Sequence, residues 1–124
     1  MPDPTAFYTG WLLDEAEREA LLARVPPRYA RVVAHHVTLK FGEAATQPPG
    51  EVEAEILGEA DDGLGVQALV VAIDGRPDRP DGGTFHITWS LAEGREAKES
   101  NAVIATRGWT AWREPAPLRL RPKT

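Results

Sequence analysis

The sequence contains no cysteine, only three histidines and no apolar run long enough to form a transmembrane helix. Without cysteine the chain cannot form disulfides, thiolate zinc sites, iron–sulfur clusters or a cysteine nucleophile. The N-terminal residues also lack the basic start and the apolar core of a secretory signal. These absences predict a protein that has no membrane contact and remains in the cytoplasm.

The composition, 42% hydrophobic and 27% charged over 124 residues, is that of an ordinary globular protein. The chain shows no internal repeat with a period of 20–50 residues. The run 75–83, with three glycines and two prolines, predicts a loop but is too short to separate two cores. We therefore expect a single domain over residues 1–124, and we expect it to act as a monomer.

Acidic side chains outnumber basic ones by 19 to 14, which gives a formal net charge of −5. This balance argues against an extended grip on nucleic acid, because such binding depends on Lys and Arg that neutralise phosphates. The charge is unevenly spread, since residues 24–42 carry four basic and no acidic side chains while residues 43–62 carry seven acidic and no basic ones. A small or end-restricted phosphate substrate is compatible with this distribution.

Strand-like segments outnumber helical ones. The nearly continuous apolar run 66–73 predicts a buried central strand, and residues 29–41 predict one long strand. One of the few helical segments covers residues 99–106, where Ser100 or Asn101 is expected to cap the first turn. The fold class that this pattern predicts is α+β with largely antiparallel sheets.

Two of the strand-like segments repeat one chemical pattern, HVTLKF beginning at His36 and HITWSL beginning at His86. Side chains on a strand alternate between its two faces, so each segment buries its apolar residues and turns its polar residues the other way. The polar faces are predicted to hold His36, Thr38 and Lys40 in the first segment and His86, Thr88 and Ser90 in the second, with Ile87, Trp89 and Leu91 opposite.

This combination of side chains suits hydrolysis of a phosphate diester. One imidazole takes a proton from water as general base, while the other, protonated, gives a proton to the departing sugar oxygen. The hydroxyls of Thr38 and Thr88 donate to the non-bridging phosphate oxygens and stabilise the charge that develops there. The residues do not show whether His36 or His86 is the base. No histidine pair has the spacing of a helical zinc site, so no metal is expected.

Several neighbouring residues are candidates for supporting roles. His35 has the wrong parity to share a face with Thr38, so it is expected at the rim or partly buried. Lys40 adds a charge beside the phosphate or is simply solvated, and Ser90 lines the site. Two aromatic residues are candidates to stack on a base, and the competing interpretation places them in the core: Tyr8 and Trp11.

With its two His-x-Thr tripeptides 50 positions apart, the chain resembles the 2H phosphoesterase superfamily, which includes 2′-5′ RNA ligase-like proteins and cyclic nucleotide phosphodiesterases. The string VVAHHVTLKFG from Val32 and the string HIT from His86, with Ser100 and Asn101 following, are most similar to its small Swiss Army knife RNA repair-like branch. The resemblance implies a bilobal α+β fold. In such a fold two antiparallel sheets face a central cleft, with one His-x-Thr strand on each side and the helices outside.

The resemblance also implies hydrolysis of 2′,3′-cyclic phosphates, or of related cyclic or 2′-5′ linkages, without a metal or cofactor. His36, Thr38, His86 and Thr88 stand at the matching catalytic positions, and the expected partner is a nucleotide or RNA-end phosphate. Two other functions stay open, a non-catalytic binding module for such ends and an RNA 2′-5′ ligase. Titratable histidines favour an enzyme, because a pure binder can use lysine or arginine instead.

Overall fold

The computed structural model describes residues 8–41, 50–80 and 82–123, in which strands predominate. Two helices interrupt the succession of strands, one after the first strand and one near the end. In chain order the elements are β1 (Tyr8–Leu13), α1 (Glu15–Arg24), β2 (Arg31–Val32), β3 (His36–Phe41), β4 (Ala54–Asp61), β5 (Val66–Ile73), β6 (His86–Leu91), α2 (Glu99–Arg107), β7 (Thr110–Leu118) and β8 (Leu120–Pro122).

The strands form two separate sheets, one of three strands in the order β3-β1-β8 and one of five in the order β2-β6-β5-β4-β7. Every strand pairing in both sheets is antiparallel. The α+β class with antiparallel sheets is therefore confirmed. Neither helix in the described part of the chain has the length and apolar character that crossing a bilayer requires.

The apolar run 66–73 forms β5, in which every residue is buried. On one face of β5, Leu69 and Val71 belong to a core that also contains Trp11 and Val37 of the three-stranded sheet. On the other face, its residues pack in a second cluster with Val103 and Ile104 of α2. The absence of polar alternation in β5 thus follows from cover on both faces.

Helix α1 begins where Asp14 accepts a hydrogen bond from the N–H of Glu17 at 3.3 Å. Acidic residues fill its first turn and Arg24 lies in its last, which matches the helix dipole. Pro26 and Pro27 follow the helix end. Its buried contact is Leu21, which joins the core to which both sheets contribute.

The prediction of one long strand over residues 29–41 is wrong. The segment is split into β2 and β3, and Ala34 between them has a φ of +43°, which is rare for a residue with a side chain. The chain turns at this point because β2 pairs with β6 in the five-stranded sheet, whereas β3 pairs with β1 in the other. A sequence pattern of apolar residues does not show such a change of sheet.

The capping prediction for α2 is also wrong. Lys98 is the N-cap and makes no side-chain capping bond, so both Ser100 and Asn101 lie inside the helix. A carboxylate supplies a bond at this end instead, since Glu99 accepts from the N–H of Glu96 at 2.6 Å. Ser100 is consequently available for a tertiary contact, and it is fully buried.

Candidate active site

The two His-x-Thr strands adjoin, although they belong to different sheets. The N–H of Val33 donates to the carbonyl of Trp89 at 2.9 Å, and the N–H of Ala34 donates to the carbonyl of Thr88 at 3.0 Å. The chain therefore runs beside β6, turns at Ala34 and enters β3 at His36. This path brings the beginning of β3 against β6, and the two strands contact each other.

In β3 the alternation of faces is as predicted up to Leu39. Val37 is fully buried in the core to which both sheets contribute, and Leu39 packs against the same core. Thr38, which points the other way from Val37, is only 6% exposed. Opposite it in β1 is Gly10, where a Cβ would lie 2.1 Å from the carbonyl oxygen of Val37, so this close approach of β1 and β3 requires glycine.

In β6, His86 and Thr88 share the face that α2 covers, because they pair with residues of β5 that pack against α2. The hydroxyl of Thr88 lies 2.8 Å from that of Ser100 and donates to the carbonyl of Ala97 at 3.3 Å. Helix α2 thus fixes the orientation of this hydroxyl. Helix α2 lies on the sheet face that carries His86 and Thr88, whereas the resemblance implies helices outside the cleft.

The carbonyl of Thr84 determines the tautomer of His86. His86 Nδ1 lies 2.8 Å from this oxygen, which can only accept, so Nδ1 carries the proton and Nε2 keeps its lone pair in the neutral ring. Burial lowers the pKa of His86, the Thr84 carbonyl opposes that effect and the charge of Arg79 adds to it. His86 therefore has the form of a general base, with a lone pair on Nε2.

The neutral form of His36 is favoured as well. Burial is the largest cause that lowers its pKa to about 4, and the charges of His35, His86 and Lys123 lower it further. The effect of His86 on the pKa of His36 places the two imidazoles within electrostatic reach of each other. Both imidazoles are consequently neutral at pH 7 when no anion is bound.

His35 has a larger part in the site than its parity indicated. It is exposed, and its Nδ1 lies 3.0 Å from Nδ1 of His36, with the two rings nearly perpendicular at 81°. Alternation along a straight strand determines only which residues share a face with Thr38. Where the backbone bends before a strand, adjacent imidazoles can turn toward each other.

Two cationic residues were missed by the sequence reasoning. Arg79 is only 8% exposed, donates to Asn101 Oδ1 at 3.3 Å and acts electrostatically on His86. Lys123 acts on His36, and its backbone N–H donates to the carbonyl of Gly10 at 2.9 Å. Both lie far from the histidines in sequence, so only tertiary pairing brings them near.

The absence of a side chain at Gly83 makes room for the guanidinium of Arg79. A Cβ at Gly83 would lie 2.4 Å from Nη2 of Arg79, so the guanidinium occupies the space that a side chain at this position would need. The glycines of the run 75–83 were interpreted only as loop formers. An arginine followed four residues later by a glycine in such a loop is compatible with a buried guanidinium, but it does not predict one.

The prediction that Ser90 shares a face with His86 and Thr88 is wrong. The pairing of β6 with β5 shifts by one residue between Thr88 and Ser90, as in a β-bulge. Ser90 therefore turns to the opposite face, where it is fully buried and donates to Oε1 of Gln67 at 2.6 Å. Ile87 and Trp89 lie on the apolar face as predicted, but the same shift turns Leu91 toward α2.

The prediction of Trp11 as a base-stacking residue is also wrong. Its side chain is 2% exposed and packs edge-on against Phe85 with ring centroids 6.0 Å apart. Its indole N–H donates to the carbonyl of Gly50 at 3.0 Å, which satisfies the polar atom of a core tryptophan. The other predicted ligand-binding side chains, those of Tyr8 and Lys40, lie outside the described residues.

The described site therefore combines two neutral imidazoles, the hydroxyls of Thr38 and Thr88, and two nearby cations. Such a site favours a small anion whose reaction needs proton transfer. Among the described residues, no three acidic or imidazole side chains are grouped as metal ligands. Comparisons of the chain with family models, with curated proteins and with solved structures give no match, so the assignment of a function rests on the geometry of the site.

Proposed function

We propose that the protein is a metal-independent phosphodiesterase that opens 2′,3′-cyclic phosphates of nucleotides or RNA ends, as a member of the 2H phosphoesterase superfamily. The observation that carries the proposal is the contact between the adjoining strands β3 and β6, in which His86 acts electrostatically on His36 and each histidine is followed two residues later by a threonine. In this proposal the two antiparallel sheets form the two lobes, and the cleft between them takes the phosphate. The proposed location is the cytoplasm.

The reaction needs a proton removed from water and a proton given to the leaving sugar oxygen. The two imidazoles supply these functions, and typical acid–base groups contribute roughly 10²–10⁴-fold in rate. The hydroxyl of Thr38 and the charges of Arg79 and Lys123 stabilise the negative charge that grows on the phosphate oxygens. The bound anion also raises the pKa of both imidazoles, which offsets their burial.

The test is hydrolysis of a set of 2′,3′-cyclic nucleotides in the presence of EDTA. We expect turnover by the unaltered protein and a loss of at least about 100-fold in kcat for His36→Ala and for His86→Ala. The control is Leu64→Ala, since Leu64 is 69% exposed and belongs to neither strand. Unchanged turnover in both histidine variants, or turnover only with added metal, contradicts the proposal.

One observation favours a second function, a module that binds cyclic or terminal phosphates without cleaving them. The Thr88 hydroxyl donates its single proton to the carbonyl of Ala97, so that proton is not available to a phosphate oxygen in this arrangement. Calorimetry with 2′,3′-cyclic AMP distinguishes the two functions. Binding of the cyclic phosphate without any product after prolonged incubation supports the module, whereas product formation supports the enzyme.

A further inference from the structure

The contact between His35 and His36 joins two nitrogens that both act as donor or acceptor. At 3.0 Å the two Nδ1 atoms share one proton, because two lone pairs at this distance repel each other. If His35 donates to His36, the proton of neutral His36 is on its Nε2. If His36 donates to His35, Nε2 of His36 keeps a lone pair instead. The two arrangements give His36 opposite chemical roles.

The tautomer of His86 determines which of these two proton arrangements the hydrolysis requires. Its Nδ1 donates to the Thr84 carbonyl, so His86 Nε2 is an acceptor and fits the base. Hydrolysis then requires a proton donor on the other side of the phosphate. Neutral His36 fits that role only when its proton is on Nε2, which means that His35 donates.

A neutral imidazole alone is a poor acid. With its pKa at about 4, His36 carries a second proton in only about one molecule in a thousand at pH 7. The described charged groups that act on it are His35, His86 and Lys123, all of which are cationic when charged and disfavour a second proton. His35 is exposed and exchanges protons with water directly.

We propose that His35 is a positioning and proton-relay residue for His36, a role that rests on the proposed function. Its Nδ1–H donates to Nδ1 of His36 and holds the other proton of the pair on His36 Nε2. In the reaction, the water oxygen forms a bond to phosphorus and gives its proton to His86 Nε2. As the bond from phosphorus to the leaving oxygen breaks, that oxygen takes the His36 Nε2 proton, and His36 Nδ1 takes the Nδ1 proton of His35. His35 has by then gained a second proton on Nε2 from solvent, so it is left as a neutral imidazole.

The tautomers are measured without any substrate. Three histidines give three imidazole systems in long-range ¹H–¹⁵N NMR spectra, and single substitutions assign them. At pH 7.5 we expect His86 to carry its proton on Nδ1 and His36 to carry its proton on Nε2. The preference of His36 for a proton on Nε2 should disappear in His35→Phe. A proton on Nδ1 of His36 in the unaltered protein overturns the proposal, whether or not the protein has hydrolase activity.

Two substitutions of His35 separate positioning from relay. His35→Asn keeps a donor near the position of Nδ1 but cannot titrate, whereas His35→Phe removes both properties. We expect the His36 tautomer to persist in His35→Asn, with kcat about tenfold lower and KM within about twofold. His35→Phe should lose about 100-fold in kcat.

The outcomes separate this inference from the proposed function. If the unaltered protein is active and both His35 variants keep its kcat and its pH profile, the relay is wrong and the phosphodiesterase proposal stands. If the unaltered protein is inactive on all cyclic phosphates, the proposed function fails, and the spectra alone decide the positioning role. Melting temperatures check that the variants fold, as expected for substitution of an exposed side chain.

Discussion

At the scale of single residues, a buried histidine links stability to pH. The pKa of His36 is about 4 in the folded protein, against 6.5 for an ordinary histidine. As pH falls from about 6.5 toward 4, the unfolded chain takes up a proton that the folded chain does not. The free energy of unfolding should therefore decrease in this window by up to roughly 3 kcal/mol, and this stabilisation is fully present above pH 6.5.

Urea unfolding of the unaltered protein and of His36→Gln, at pH 7.5 and at pH 4.5, measures this effect. Other groups also titrate in this range, so the quantity of interest is the difference between the two proteins. We expect His36→Gln to lose less stability than the unaltered protein on acidification. Equal losses would show that the folded protein protonates His36 as readily as the unfolded chain does.

Gly10 tests the packing that holds Thr38. Gly10→Ala places a Cβ 2.1 Å from a backbone oxygen of β3, so β1 and β3 must move apart. We expect the free energy of unfolding to fall by about 1–3 kcal/mol and kcat to fall with it. Gly50→Ala is the matched control, since a Cβ there has nothing within 4 Å, and its melting temperature should be nearly unchanged.

At the scale of elements, the bulge in β6 places Ser90 on the sheet face opposite to the one that carries Thr88. Ser90 donates to Gln67 and accepts from the N–H of Tyr29 at 3.2 Å, so Ser90→Ala removes both hydrogen bonds, although Gln67 Oε1 still accepts from the N–H of Arg28. We expect a loss of about 1–3 kcal/mol in unfolding free energy and a kcat within about twofold of the unaltered protein. A stable Ser90→Ala variant with greatly reduced kcat would contradict this structural role and indicate that Ser90 takes part in the reaction.

Helix α2 should affect activity through Thr88. Ser100→Ala removes a fully buried partner of the Thr88 hydroxyl, which is then held less firmly, by the longer hydrogen bond to the carbonyl of Ala97. We expect kcat for a cyclic phosphate to fall about tenfold while KM changes little, with a loss of about 1–3 kcal/mol in stability. Ala102→Ser, an exposed position on the same helix, is the control, and an equal effect of both substitutions would contradict this role.

The comparison of sequence and structure is clearest at this scale. The nearly continuous apolar run of β5 and the alternation of Val37 with Thr38 were predictable. A strand buried on both faces is apolar throughout, and a strand buried on one face alternates. The positive φ at Ala34 and the bulge before Ser90 were not predictable. Each depends on where a strand finds its hydrogen-bonding partner, which a local pattern does not contain.

At the scale of the whole molecule, the net charge of −5 should limit recognition of long RNA. We expect KM for a 2′,3′-cyclic mononucleotide and for a ten-nucleotide RNA with the same cyclic end to agree within about threefold. Raising the salt concentration from 50 to 200 mM should change both to a similar small extent. Much tighter use of the longer RNA, with a steep salt dependence, would indicate an extended binding surface.

The candidate site was only partly predictable at this scale. The paired His-x-Thr segments were visible because each carries its chemistry within three residues. Arg79 and Lys123 were not visible, since their place in the site results from the assembly of separate segments. His35 was visible but was set aside, because a rule for straight strands was applied at a bend.

The bend at Ala34 limits how far the imidazoles of His36 and His86 can move relative to each other. Ala34 lies two residues before His36, and its N–H is bonded to the carbonyl of Thr88, two residues after His86. The shortest path between the two imidazoles therefore crosses a few residues and one hydrogen bond rather than the cores of two sheets. Because few bonds connect the two rings, a rigid-body shift of one sheet relative to the other should change the distance between the rings only slightly.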